Sequence, residues 1–203
     1  MPTQHRAIQS RQALIRSAAE TFLEKGVPAA GMVEISRRAR LSKGALYFHF
    51  TSKDDLTLAV RDSAVATLQQ VEEGFIRSPL PLGAAVREFA ADLFRRVGSD
   101  PVLRAGLRLR AETAPGLDIT ALERRWYALF LDKAMTGGVA GASRSETEPR
   151  RTAQLLTSVV VGLLHLGCED QAWWEEAALA DVWSLLPATP VGVPAPAGAP
   201  AGG

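Results

Sequence analysis

Lys43, Tyr47, His49 and Lys53 fall within eleven residues, and a glycine, Gly44, stands beside the first of them. On a helix advancing about 100° per residue, with Lys43 at zero, Lys43, Gly44, Tyr47 and Phe48 occupy one arc of about 140°. Ala45, Leu46 and His49 occupy the opposite arc, which is mostly small and apolar and suited to packing. The first arc offers a cation, a phenol, a bare stretch of backbone and an aromatic ring. Lys43 can reach a phosphate or a guanine edge, and Tyr47 can hydrogen-bond a phosphate or pack on a thymine methyl. Gly44 permits close approach to a DNA backbone. Lys53 falls in the first turn of a following helix, where a cation opposes the helix dipole; a phosphate partner explains it better than helix stability does. Arg37, Arg38 and Arg40 can add phosphate contacts, or equally form a solvated face. The open N–H groups at the starts of the first, second and fourth helices can also hold phosphates.

Bond-making chemistry has no comparable set of residues. His5, His49 and His165 sit in unlike contexts, and no nucleophile, base and orienting group can be assembled. No glycine-rich phosphate loop or paired-carboxylate site is visible. The single cysteine, Cys168, reads as an inert thiol in a reducing compartment, unable to form a disulfide framework or a multi-cysteine zinc site. His165, on an apolar helix, reads as a packed or interface residue rather than a metal ligand. The expectation is a protein that is not an enzyme, with no cofactor and no metal.

The elements that must position the DNA-facing set are helical. Good helix formers dominate, and alternating β-branched runs are missing. Leu14, Ala18 and Phe22 are spaced four apart on a first helix that ends at Gly26, with Pro28 blocking continuation. A second helix covers about 31–40 with Ile35 and Ala39 inward, and a third about 42–49 with Ser42 as its N-cap. The two are separated by Arg40-Leu41, a spacing that suits a helix-turn-helix. Ser52 opens a fourth helix, to about residue 73, with a capping box whose N3 residue is Asp55. Further helices are expected at about 82–97, 101–113, 118–135, 149–167 and 171–186, with a loop over 137–148. Residues 187–203 hold five Pro, four Gly and no charge, the composition of a disordered tail.

Charge divides the chain at the same place. The 23 Lys+Arg and 22 Asp+Glu of the 203 residues sum to +1. Residues 1–53 carry nine basic residues and three Glu, a balance of +6, and residues 54–203 balance at −5. Such asymmetry suggests a nucleic-acid-binding segment on an acidic body. The hydrophobic content of 47% is enough for a proper core. The N-terminus shows no secretory h-region, and the longest apolar run, 159–164, is far short of the roughly 20 residues of a membrane span. A soluble, cytoplasmic protein of one or two domains, with no membrane partner, is expected.

At LSKGALYFHFTSKDDL the chain resembles the TetR family of transcriptional regulators, with Lys43, Gly44, Leu46, Tyr47, His49, Phe50, Ser52, Lys53 and Leu56 matching. Glu34-Ile35 and Ala39 fit the second helix of the family, and the resemblance covers residues 8–60. It implies an all-α fold: a three-helix, helix-turn-helix DNA-binding head and a helical body for ligand binding and dimerisation. It also implies that Lys43, Gly44, Tyr47, His49 and Lys53 touch DNA; Ser42 and Arg37 join them in the expected DNA-binding set. Two positions depart from the pattern. Gly31 replaces the usual Ser/Thr cap of helix two. Arg40 replaces the usual turn glycine, where a positive φ would strain it. Asp100-Pro101-Val102, the stretch Arg104 to Leu109, and Trp126 are further similar to γ-butyrolactone autoregulator receptors, in which a Trp matching Trp126 lines the ligand pocket and lactones or furans release the repressor from DNA.

The expected organisation is a head at residues 1–53, helix four (about 52–73) as the link, and a sensor and dimer body at 80–186. Helical faces suggest a pocket of Phe89, Leu93, Leu109, Trp126, Phe130, Thr157 and Val161, apolar enough for an alkyl-tailed lactone or furan. Ordinary core packing explains Trp126 almost as well. Leu155, Leu156, Val159, Val160, Leu163 and Leu164, beside Trp173, Trp174 and Trp183, exceed what one small domain buries, so a symmetric homodimer is expected. It would carry two recognition helices to a palindromic operator. The rival readings are a TetR-type sensor of an unrelated drug or metabolite, and a small helical enzyme.

Overall fold

A computed structural model of the chain describes residues 2–109, 119–136 and 147–185. Among these residues all regular structure is helical, so the all-α expectation holds. The head begins with α1 (Pro2–Ala29), α2 (Met32–Arg38) and α3 (Lys43–His49). Gly26 interrupts α1 where expected: its φ of 77° and ψ of 159° define a backbone state that essentially only glycine adopts. Leu14, Ala18 and Phe22 face inward from α1 and meet Ile35, Leu46 and Phe50 in one apolar cluster.

The end of α2 is built around Arg40, whose φ of 56° makes it the one non-glycine residue with positive φ among those described. The Arg40 N–H donates to the Arg37 carbonyl at 3.0 Å, and the Leu41 N–H to the Ser36 carbonyl at 2.9 Å. These two bonds are the helix ending that ordinarily places glycine at this position. They satisfy the last carbonyls of α2 and turn the chain into α3. The Ser42 hydroxyl then caps α3 by accepting from the Ala45 N–H at 3.1 Å.

Helix α4 (Lys53–Arg77) is capped by Ser52, which accepts from the Asp55 N–H at 3.0 Å. The Asp55 carboxylate accepts from the Thr51 N–H at 3.0 Å, so the reciprocal half of the cap reaches one residue before Ser52. The helix runs one turn past residue 73 because Phe75 is buried in the body core. Its first half, Leu56, Ala59 and Val60, completes the head cluster; Ala64, Leu68, Val71 and Phe75 belong to the body cluster.

The body continues with α5 (Leu82–Ser99), α6 (Pro101–Arg108), α7 (Ile119–Thr136) and α8 (Thr147–Glu169). Asp100 caps α6 by accepting from the Val102 N–H at 2.9 Å, with Pro101 in the first turn. That helix stops at Arg108, short of the expected residue 113, because Leu109 turns extended. Ala105 and Leu109 face the head cluster, and Leu103 faces the body cluster. A continuous last helix over 171–186 is not what forms. A 3₁₀ turn, Gln171–Trp174, precedes a separate α9 (Glu176–Leu185). Asp170 caps the turn through the Ala172 N–H at 3.0 Å, and buried Trp174 lies against Gly167, where a Cβ would stand 1.9 Å from the indole nitrogen.

Helix α8 corrects the reading of apolar length. Glu148–Glu169 is long and apolar enough, by length and composition, to cross a membrane, although Ser, Thr and Gly interrupt its uninterrupted runs. Ala153, Leu156, Val160, Leu163 and Leu164 on it are buried in the body cluster. The expectations for residues 110–113, for the loop over 137–146 and for the tail over 187–203 fall outside the described residues.

Candidate functional site

Seven residues of α3, held at one end by the Ser42 cap and on one side by fully buried Leu46, present the outer arc to solvent. Tyr47 is 45% exposed and Phe48 80% exposed. The Lys43 ammonium stands 5.8 Å from the centre of the Tyr47 ring, so the cation and the phenol share the face expected from their i, i+4 spacing. Ser42 and Gly44 are exposed beside them. His49 is half-buried, its ring 5.1 Å from that of Phe48 (edge-on) and 6.3 Å from that of Phe50.

The surplus charge of the head resolves into individual cations. All three of its glutamates are engaged internally. Glu20 meets Arg16 at 3.4 Å and Arg38 at 3.0 Å, Glu24 is gripped by both terminal nitrogens of Arg38, and Glu34 pairs with Lys25. Arg38 is therefore a strut between α1 and α2; its hydrogen bonds and charge hold the Glu24 carboxyl below the usual carboxylate range. The Arg11 guanidinium lies over the Phe50 ring at 5.2 Å. Lys53 donates to the Pro28 carbonyl at 2.9 Å and to the Ala30 carbonyl at 3.4 Å. These bonds tie the start of α4 to the end of α1. Arg6, Arg37, Arg40 and Lys43 are exposed and have no acidic partner among the described residues.

In the body, four of the seven expected pocket residues come together. Leu93, Trp126 and Phe130 are fully buried and Phe89 is 3% exposed. Phe89 stands edge-on to Trp126 at 5.3 Å and to Phe130 at 5.4 Å, and Phe75 closes the group at 5.0 Å from Phe130. Val161 packs against the same cluster. Thr157 is buried, but its hydroxyl donates to the Ala153 carbonyl at 2.7 Å within its own helix. Leu109 is elsewhere, in the head cluster, because α6 ends with that side chain turned towards α1 and α4. A cavity of about 170 Å³ opens beside the rings, lined by Gly74, Phe75, Ser78, Glu88, Phe89 and Asp92, and shares only Phe89 with the expected set. Sites for drug-sized ligands run to roughly 300–1,000 Å³, so this cavity by itself is smaller than such a site.

Two side chains escaped sequence reasoning as site residues. Phe48 had a signal, its place on the outer arc. Glu72 had none: within Gln69-Gln70-Val71-Glu72-Glu73 it reads as solvent face, yet it is 3% exposed. Its Oε1 accepts from the Trp126 indole N–H at 3.1 Å and its Oε2 pairs with Arg125. Burial pushes the Glu72 carboxyl up, against the opposing charge of Arg125 and the hydrogen bonds from Trp126 and Arg125.

The outer side of the body retains only part of its apolar surplus. Leu156, Val160, Leu163, Leu164 and Trp174 are absorbed by the core of the protomer itself, and Val159 and Trp183 pack on its edge. Leu155, Leu166 and Trp173 remain 48%, 42% and 39% exposed. His165 is exposed on the same helix, and burial pushes the Cys168 thiol up, in keeping with an inert group.

Residues 14–60 match the family described as bacterial regulatory proteins, tetR family. The chain is 33% identical over 176 residues to the HTH-type transcriptional regulator TtgR of Pseudomonas putida, covering 80% of this chain and 81% of that protein. It is 36% identical over 112 residues to the A-factor receptor protein of Streptomyces griseus, a match spanning 55% of this chain and only 38% of the receptor. Among solved structures, a γ-butyrolactone receptor described as ArpA-like superposes with a TM-score of 0.65 at 28% identity, covering 88% of this chain and 86% of that one.

Proposed function

The chain belongs to the TetR family of bacterial regulatory proteins, and from that premise we propose a homodimeric transcriptional repressor released from a palindromic operator by a small lactone- or furan-type signal. One observation carries the DNA half of the reading: a Ser42-capped helix whose outward face holds Lys43, Gly44 and Tyr47, clear of every acidic side chain of the head. Ser42 and Lys43 serve phosphates or base edges, Tyr47 a phosphate or a thymine methyl, and Arg37 an adjacent phosphate. His49 and Lys53 add phosphate contacts, Lys53 from a side chain that also ties α4 to the end of α1. Two such heads, joined through the exposed stripe Leu155, Leu166 and Trp173, would read two half-sites.

In the body, the aromatic group of Phe89, Trp126 and Phe130, with Leu93, Val161 and Thr157 near it, is the proposed ligand site. The ligand favours a state with different head spacing, and α4, which contributes to both cores, passes the change to the head. The ligand can shift the balance only by its differential affinity for the two states. The similarity to a γ-butyrolactone receptor and to the A-factor receptor supports this ligand class. The enzyme alternative has nothing specific in its favour; the relatives are transcriptional regulators.

Fluorescence anisotropy on the intergenic DNA upstream of the gene, with Lys43→Ala and Tyr47→Ala, tests the assignment. Each variant should keep its fold and lose about tenfold or more in affinity, the scale of a lost base or charged phosphate contact. Normal binding by both variants would overturn the recognition helix.

A further inference from the structure

Glu72 is a buried carboxylate with acceptor capacity to spare. An ionised carboxylate has room for about four hydrogen bonds. Two donors reach Glu72, the Trp126 indole N–H on Oε1 and Arg125 on Oε2. The side chain abuts the aromatic group through that indole, which stands 5.3 Å from Phe89. Each oxygen thus has one donor, and the remaining lone pairs are what a ligand donor would use. The charges already balance: one carboxylate faces one guanidinium. An anionic ligand would bring an uncompensated charge into an apolar core, which is costly; a neutral ligand that donates a hydrogen bond would not.

We propose that Glu72 is the specificity-determining residue of the body site, accepting a hydrogen bond from a hydroxyl on a neutral ligand whose apolar part lies among Phe75, Phe89 and Phe130. The proposal rests on the lactone or furan reading above and narrows it to hydroxyl-bearing neutral lactones, against furan carboxylates. A ligand hydroxyl either joins the Trp126 indole on Glu72 or takes its place. Because Glu72 rides on α4, the exchange occurs on the helix that continues into the head. An analogue that cannot donate forgoes a hydrogen bond to a charged acceptor and should bind correspondingly more weakly.

The test uses the full-length protein and three probes of equal chain length: a γ-butyrolactone with a hydroxylated alkyl side chain, its O-methyl ether, and an alkylfuran carboxylate. Affinities come from calorimetry or thermal shift. Wild type should bind the hydroxyl lactone about tenfold or more tightly than the ether, and the furan carboxylate least. Glu72→Gln should collapse the hydroxyl-to-ether ratio and narrow the deficit of the furan carboxylate. Trp126→Phe, which removes the indole donor and keeps a ring, should preserve the ratio. A ratio near one in wild type overturns the role of Glu72 without needing any variant, while leaving the ligand class standing. A ratio unchanged in Glu72→Gln also overturns it. If none of the three probes binds wild type that still binds DNA, the lactone or furan reading itself fails, and this proposal falls with it.

Discussion

Arg40→Gly should make the protein more stable and a poorer DNA binder. Arg40 holds a φ of 56°, a left-handed conformation that costs an ordinary L-residue about 1–2 kcal/mol. Glycine removes that cost but loses about 0.5–1 kcal/mol more backbone entropy on folding. The net gain is about 0.5–1 kcal/mol. No acidic side chain of the head contacts Arg40, so no ion pair is lost with it. For a chain of this size, about 1 kcal/mol moves Tm by about 2–4 °C, so thermal denaturation should rise by about 1–4 °C. The DNA effect runs the other way. If the exposed guanidinium meets a phosphate, the slope of log affinity against log salt should become shallower by about 0.9. Arg40→Ala separates the two: it keeps the Cβ and hence the strain, so Tm should barely move while the salt slope changes as in the glycine variant. A melting temperature that is unchanged or lower in Arg40→Gly would refute the argument from backbone strain.

Other variants probe separate features. Gly26→Ala should destabilise by about 1–3 kcal/mol although its Cβ would make only an ordinary contact, 3.7 Å to Pro28 Cδ, because the φ of 77° is what excludes a side chain; denaturant unfolding would read it, and a neutral result would contradict that backbone state. Gly167→Ala should cost about 1–3 kcal/mol by pushing the Trp174 indole out of its seat, seen as a red-shifted tryptophan emission together with a lower Tm. The folded-state pKa of Glu72 is raised, so the folded chain keeps that proton to higher pH than the unfolded chain does. Stability from this group is full below the ordinary carboxylate value of 4.5 and declines as pH climbs through the raised value. The stability of Glu72→Gln relative to wild type should therefore increase over that rise in pH; a flat difference would contradict the burial of the carboxylate.

The head was legible because its signals are local. The Ser42 and Ser52 caps, the break at Gly26, the i, i+4 pairing of Lys43 with Tyr47 and the positive φ at Arg40 each depend on a few neighbouring residues. The body was less so. Periodicity placed Phe89, Leu93, Trp126 and Phe130 on inward faces, but could not show that Leu109 turns to the head, since that depends on where α6 stops. It could not show Glu72 inside, since a glutamate is buried only when donors from another helix meet it, and those come from residues 125 and 126. The split of the last helix likewise depends on Trp174 finding Gly167, a tertiary contact that overrides local propensity. The tie from Lys53 was also beyond local reading, because its carbonyl partners lie 23 and 25 residues away.

Helix α6 sets how the molecule comes apart. Its eight residues are too few to persist as a helix alone, and they are divided between two cores, with Leu103 on one side and Ala105, followed by Leu109 just past the helix end, on the other. Neither core is complete without it. Melting of the body would strip α6 from the head, and melting of the head would leave α6 without half of its support. The chain should therefore unfold in a single cooperative step, although its charge divides so sharply at residue 53. A fragment ending there would lack Leu56, Ala59, Val60, Ala105 and Leu109, and should not hold the head's shape by itself.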